Sequence, residues 1–151
     1  MNVKERKELA MKYFADGYNC AQSVALAFAD LVDIKVETLA KLSSSFGGGM
    51  GRLREVCGAV TGMFMIAGML YGYGDSETGE KKAEHYALIQ ELAKEFESQC
   101  GSIICRDLLD TEGREAPIPA ARTKEYYEKR PCGELVGIAA EILAKKIKDR
   151  G

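Results

Sequence analysis

Apolar residues recur along this chain at the three-to-four-residue spacing of a helix, and no segment keeps the two-residue alternation of a strand. Residues 5–14 open with charges and predict a first helix, stopped by Asp16-Gly17. Asn19 is placed to cap a second helix carrying Val24, Leu26 and Phe28, because its side-chain oxygen accepts from a free backbone N–H. Residues 36–42 predict a short third helix. It runs out in Ser43-Ser44-Ser45-Phe46 and then in Gly47-Gly48-Gly49-Met50-Gly51, which does not sustain a helix cheaply.

The stretch 56–73 is apolar all round, broken only by glycines and Thr61, and predicts a central helix over about residues 54–73. Such a helix is buried in lipid or in protein. Its length only just reaches a membrane span, and the spacings Gly58/Gly62 and Gly68/Gly72 would also suit packing in a bilayer. A protein interior is the better reading, because amphipathic segments follow that could cover it. Tyr86, Ile89, Ala93 and Phe96 form one apolar stripe with Leu88 and Leu92 beside it. Leu135, Ile138, Ala139, Ile142, Leu143 and Ile147 form another. Residues 71–79 predict a loop, Gly101 a helix C-terminus, 103–109 a short helix and 111–119 an irregular stretch holding two of the prolines. The expected architecture is all-α: one domain over 1–151, a multi-helix bundle around the glycine-containing helix.

Composition narrows the function. A net charge of -2 gives no electrostatic case for nucleic acid. The charged segment 1–12 has no apolar h-region, so no secretory signal is read and the expected location is cytoplasmic, without a membrane. Reducing cytosol disfavours structural disulfides, so the five cysteines need another account: packing, redox thiols or metal ligands. One histidine, His85, nearly excludes mechanisms built on histidine clusters, and it reads as a helix-surface or satisfied half-buried residue.

Cys20, Cys57, Cys105 and Cys132 all fall near predicted helix starts: after Asn19, after the glycine run, after Ser102 and after Pro131. A helix N-terminus stabilises a thiolate, and Arg52, Arg54, Arg106 and Arg130 lie close in sequence. Cys100, at a helix end, is expected to be the least acidic. Packing remains open, since free cysteine is among the most buried residue types. No C-x-x-C is present, which removes the thioredoxin-type and zinc-ribbon motifs, and C-x-x-C-H and compact ferredoxin spacings are absent too. The glycine run ahead of a helix matches no phosphate-binding motif in register, and tight turning explains it better than an anion cradle.

On these residues the chain resembles the C_GCAxxG_C_C family of proteins labelled redox-active. The family's Cys-Gly-Ala-x-x-Gly motif is matched by Cys57-Gly58-Ala59-Val60-Thr61-Gly62, preceded by Phe46-Gly47-Gly48-Gly49-Met50-Gly51. Its first cysteine matches Cys20 in Tyr18-Asn19-Cys20-Ala21-Gln22, its third Cys105 and its fourth Cys132; Cys100 matches none. Similar regions appear beside haem-binding motifs in some multi-centre cytochromes, which implies an electron-transfer or iron–sulfur role, though this chain lacks the haem motif. The leading expectation is that Cys20, Cys57, Cys105 and Cys132 converge on one site for thiol–disulfide or electron-transfer chemistry, with Cys57 as the attacking thiolate. The alternatives are an iron–sulfur cluster or metal ion held by the same four, or a non-enzymatic helical interaction protein whose cysteines pack. The expected partner is a redox protein or a small-molecule electron carrier, and a homo-oligomer is left open.

Overall fold

In a computed structural model, which describes residues 1–76 and 79–151 (Lys129 by its backbone alone), the first helices start where the sequence supplies caps. α1 (Val3–Ala15) begins at Asn2, whose side chain accepts the Glu5 N–H at 3.0 Å. α2 (Cys20–Leu26) begins at Asn19 with a reciprocal box: Asn19 Oδ1 accepts from the Gln22 N–H at 2.9 Å, and Gln22 Oε1 accepts from the Asn19 N–H at 3.1 Å. α3 is Val36–Ser44. The side chains of the box also tie it to α3, since Asn19 Nδ2 donates to Ser44 O and Gln22 Nε2 to Ala40 O, both at 3.0 Å.

The glycine run makes a structure the sequence reading lacked. α4 (Gly47–Met50) is a single turn, and from Gly48 it winds left-handed: φ is 70° at Gly48, 68° at Gly49, 70° at Met50, 60° at Gly51 and 69° at Arg52. Three glycines bear this cheaply, whereas Met50, Arg52 and Arg54 (φ 59°) hold a conformation that side chains disfavour. The turn then closes on itself, with the Arg54 N–H donating to Gly48 O and the Glu55 N–H to Gly49 O.

α5 (Gly58–Tyr71) is the buried centre, with Ala59, Val60, Met63, Ile66 and Ala67 wholly enclosed. It is shorter than the expected span of 54–73, because the turn and an extended pairing occupy the residues ahead of it. Around it pack α2, α6 (Glu80–Cys100) and α9 (Cys132–Arg150), and α1 lies along α9. Gly62 permits the contact with α2: a Cβ there would stand 2.6 Å from Ala21 O. Gly68 faces open space, so the second small-residue pair makes no such contact. Among the described residues no helix is long and apolar enough to cross a membrane.

α6 turns one face differently from the expected stripe. Leu88, Leu92 and Phe96 are buried, while Tyr86 is 52% exposed and its hydroxyl accepts a bond from Tyr73. α9 buries Leu135, Ile142, Leu143 and Ala139 as its periodicity predicts. Gly101 ends α6 at φ 93°, its N–H on Glu97 O at 2.7 Å. His85 is half-buried as expected but unsatisfied: its Nδ1 has no partner among the described residues. Residues 72–76 and 79 form the expected loop, with 77 and 78 outside the described residues. α7 (Cys105–Leu109) follows, then the irregular chain, then a helix the sequence reading did not place, α8 (Lys124–Lys129), capped by Thr123.

Candidate functional site

Four of the five cysteines stand at helix starts, as the spacing predicts: Cys57 is the residue capping α5, and Cys20, Cys105 and Cys132 are the first residues of α2, α7 and α9. All four line one cavity of about 340 Å³, which Cys100 does not reach. Local structure explains the convergence. An antiparallel bridge between Val56 and Ile104 sets Cys57 beside Cys105: the Cys57 N–H donates to Ile103 O at 2.8 Å and the Cys105 N–H to Glu55 O at 2.6 Å. Gly49 leaves room for this pair, because a Cβ there would lie 2.6 Å from Cys105 Cβ. Gly47 does the same for Asn19, whose side chain would lie 2.4 Å from a Cβ. The glycine run is thus the close-approach element on which two cysteine-bearing helix starts rest. The anion-cradle reading is not needed to explain it.

The thiols differ sharply in acidity, and not as sequence alone suggests. Cys132 is lowered to about 7, chiefly because the Cys20 thiol donates a hydrogen bond to its sulfur; the charges of Arg130, Arg54 and Arg122 add to this, against the cost of burial. Cys20 is raised well above the ordinary value, since ionising it breaks that bond, and burial adds to the rise. Burial pushes Cys57 up to about 12, although the Ala59 and Val60 N–H groups favour its thiolate. Burial thus disfavours the thiolate expected at Cys57: with 4% of its surface exposed, lost hydration outweighs the helix end. Burial likewise raises Cys105, outweighing the Arg54 guanidinium that donates to its sulfur at 3.5 Å. Cys100 is raised by burial and by the Glu134 charge, yet the largest rises are at Cys57 and Cys20, so it is not the least acidic thiol.

Arginines complete the wall. Arg54 is 3% exposed, and its Nε donates to Glu115 Oε1 at 2.6 Å, while Arg52 Nη2 donates to Glu115 Oε2 at 2.7 Å. Arg52 also holds Ile118 O, so these contacts fasten the irregular chain over the cavity. Arg106 turns away instead, to Glu55 Oε2 at 3.2 Å. Arg122, which the sequence reading missed, donates to Phe14 O at 2.6 Å and Tyr18 O at 2.8 Å and lies 4.3 Å over the Phe14 ring. It stands far from every cysteine in sequence, and no motif marks it.

The metal alternative gains no support from the spacing of these residues. Among the described residues no group of three or more His, Cys, Asp or Glu side chains is arranged to hold a metal ion.

Helix starts that bring four dispersed cysteines to one cavity define a class of helical, cysteine-centred protein. The chain belongs to the C_GCAxxG_C_C family, described as "Putative redox-active protein (C_GCAxxG_C_C)", whose profile matches residues 18–146. No curated protein and no solved structure matches the chain.

Proposed function

We propose that the protein is a thiol–disulfide oxidoreductase in which Cys132 is the nucleophile and Cys20 the resolving thiol. The observation that carries this reading is the meeting of Cys20 and Cys132, the first residues of α2 and α9, in one arginine-lined cavity; there Cys132 is lowered to about 7 while Cys20 is raised well above the ordinary value. A nucleophile works best when its pKa lies near the ambient pH. The Cys132 thiolate attacks one sulfur of a disulfide R–S–S–R′; the Cys132–S–S–R bond forms as the S–S bond breaks, and R′–S⁻ leaves. Cys132 is then no longer an anion, so the main force holding the Cys20 proton disappears, and that proton passes to the leaving thiolate. The Cys20 thiolate attacks Cys132 Sγ, the Cys20–Cys132 bond closes, and R–S⁻ departs. Two electrons have moved from the cysteine pair to the substrate. A thiol-bearing partner, protein or small molecule, reverses the exchange. Cys57 and Cys105 stay protonated and wall the cavity.

Cys20→Ser should trap the substrate half on Cys132, seen by mass spectrometry and released by reductant, and Cys132→Ser should lose the fast exchange. In the oxidised wild-type protein one new cross-link should join Cys20 to Cys132. A mixed disulfide that forms instead on Cys57 or Cys105 would overturn the assignment.

A further inference from the structure

The cavity's charge points to what enters it. Arg52, Arg54, Arg122 and Arg130 line the wall, and no Asp or Glu is among the described lining residues. In a chain of net charge -2 this is a local excess of cation. Glu115, behind the wall, bonds to Arg52 and Arg54, but no carboxylate among the described residues pairs with Arg122 or Arg130. Once Glu115 and a Cys132 thiolate are set against the four guanidinium groups, two positive charges remain uncompensated. Arg122 and Arg130 are half-buried, so they keep donors for an anion in a partly screened site.

Size is the second constraint. About 340 Å³ lies at the lower end of the range for small-molecule sites. Pro117, Pro119 and Ala120 line it from the irregular chain, and Cys57, Cys105 and Cys132 are only 4–8% exposed. A disulfide held in a folded protein's surface does not reach sulfurs so enclosed, whereas a small one does. Phe14, Leu108, Leu109 and Leu135 give the interior an apolar side for a hydrocarbon stem.

We propose that the substrate of this cavity is a small disulfide bearing an anionic group, docked on Arg122 and Arg130 beside Cys132. The inference rests on the exchange reading above and adds the substrate class to it. Charge-assisted bonds to guanidinium favour carboxylate, sulfonate and phosphate alike.

Three disulfides of similar skeleton separate the possibilities: 3,3′-dithiodipropionate (anionic), 2,2′-dithiodiethanol (neutral) and cystamine (cationic). Each rate with the reduced protein is divided by its rate with a free monothiol, so that intrinsic reactivity cancels. The anion should lead the neutral compound by about tenfold or more, a preference that shrinks as salt screens it. Cystamine should be slowest. Arg122→Gln should collapse the anion-to-neutral ratio, and Arg122→Lys, which keeps the charge, should restore most of it. Coenzyme A disulfide tests phosphate against carboxylate. Equal corrected rates for all three charges would overturn this inference and leave the exchange reading standing. A preference for the protein disulfides of insulin would also overturn it. No reaction beyond that of a free thiol with any disulfide would instead sink the exchange reading beneath it.

Discussion

Cys57 and Cys132 each sit at the start of a buried helix, yet one is pushed up to about 12 and the other down to about 7. The difference lies in their partners: Cys132 receives a proton donor in Cys20 and three nearby guanidinium groups, while burial dominates at Cys57. Alkylation of the reduced protein by iodoacetamide should therefore modify Cys132 first, its rate rising through about pH 7, with Cys57 unmodified until far more alkaline conditions. Peptide mapping across a pH series reads this directly. The same groups shape stability. Cys132 is depressed from 9.0, so its contribution is present in full above pH 9 and fades as pH falls towards 7. Cys57 is raised from 9.0, so its contribution is present below pH 9 and is lost as pH rises towards 12. Thermal melts of Cys132→Ser and Cys57→Ser should flatten the first and second slopes respectively. The motif residues marked which cysteines meet at the cavity, but their acidity was not legible in the sequence, because it follows from which groups lie beside each thiol and how deeply each is covered.

At the level of elements, helical spacing showed α1, α2, α3, α6 and α9, the all-round apolarity of residues 56–73 showed α5, the expected short helix over 103–109 appears as α7, and Asn19 marked the start of α2. The left-handed winding of Gly48–Arg52 was hidden: a glycine run announces that a helix stops, but neither the direction taken afterwards nor the close approach of Gly49 to Cys105 and of Gly47 to Asn19 is written in it. The Val56–Ile104 bridge was equally hidden, being too short to leave a two-residue pattern. α8 carries only six residues and little apolar content. The glycines of α5 give a paired test of what close approach means. Gly62→Ala would force a Cβ within 2.6 Å of Ala21 O, a backbone atom that cannot swing away, and should destabilise the protein by about 1–3 kcal/mol. Gly68→Ala meets nothing within 4 Å and should stabilise it by about 0.5–1 kcal/mol through helix propensity. Chemical denaturation of both variants checks the opposite signs.

Across the whole molecule, no single element owns the site: α2, α5, α7 and α9 each deliver one sulfur, and the chain between α7 and α8 delivers the cover. Cys20 and Cys132 stand more than 100 residues apart along the chain. On the proposed chemistry, oxidation changes the connectivity of the polymer itself, closing the stretch between these two cysteines into a large ring. Closing a loop of roughly 100 residues removes enough freedom from the unfolded chain to stabilise the fold by about 4.7 kcal/mol. The oxidised protein should melt about 10 °C or more above the reduced one, as scanning calorimetry would record. The exchange that hands electrons to a substrate would then also cinch the chain shut, and the return of electrons would loosen it. The protein's resistance to proteolysis would follow the thiol balance of its surroundings.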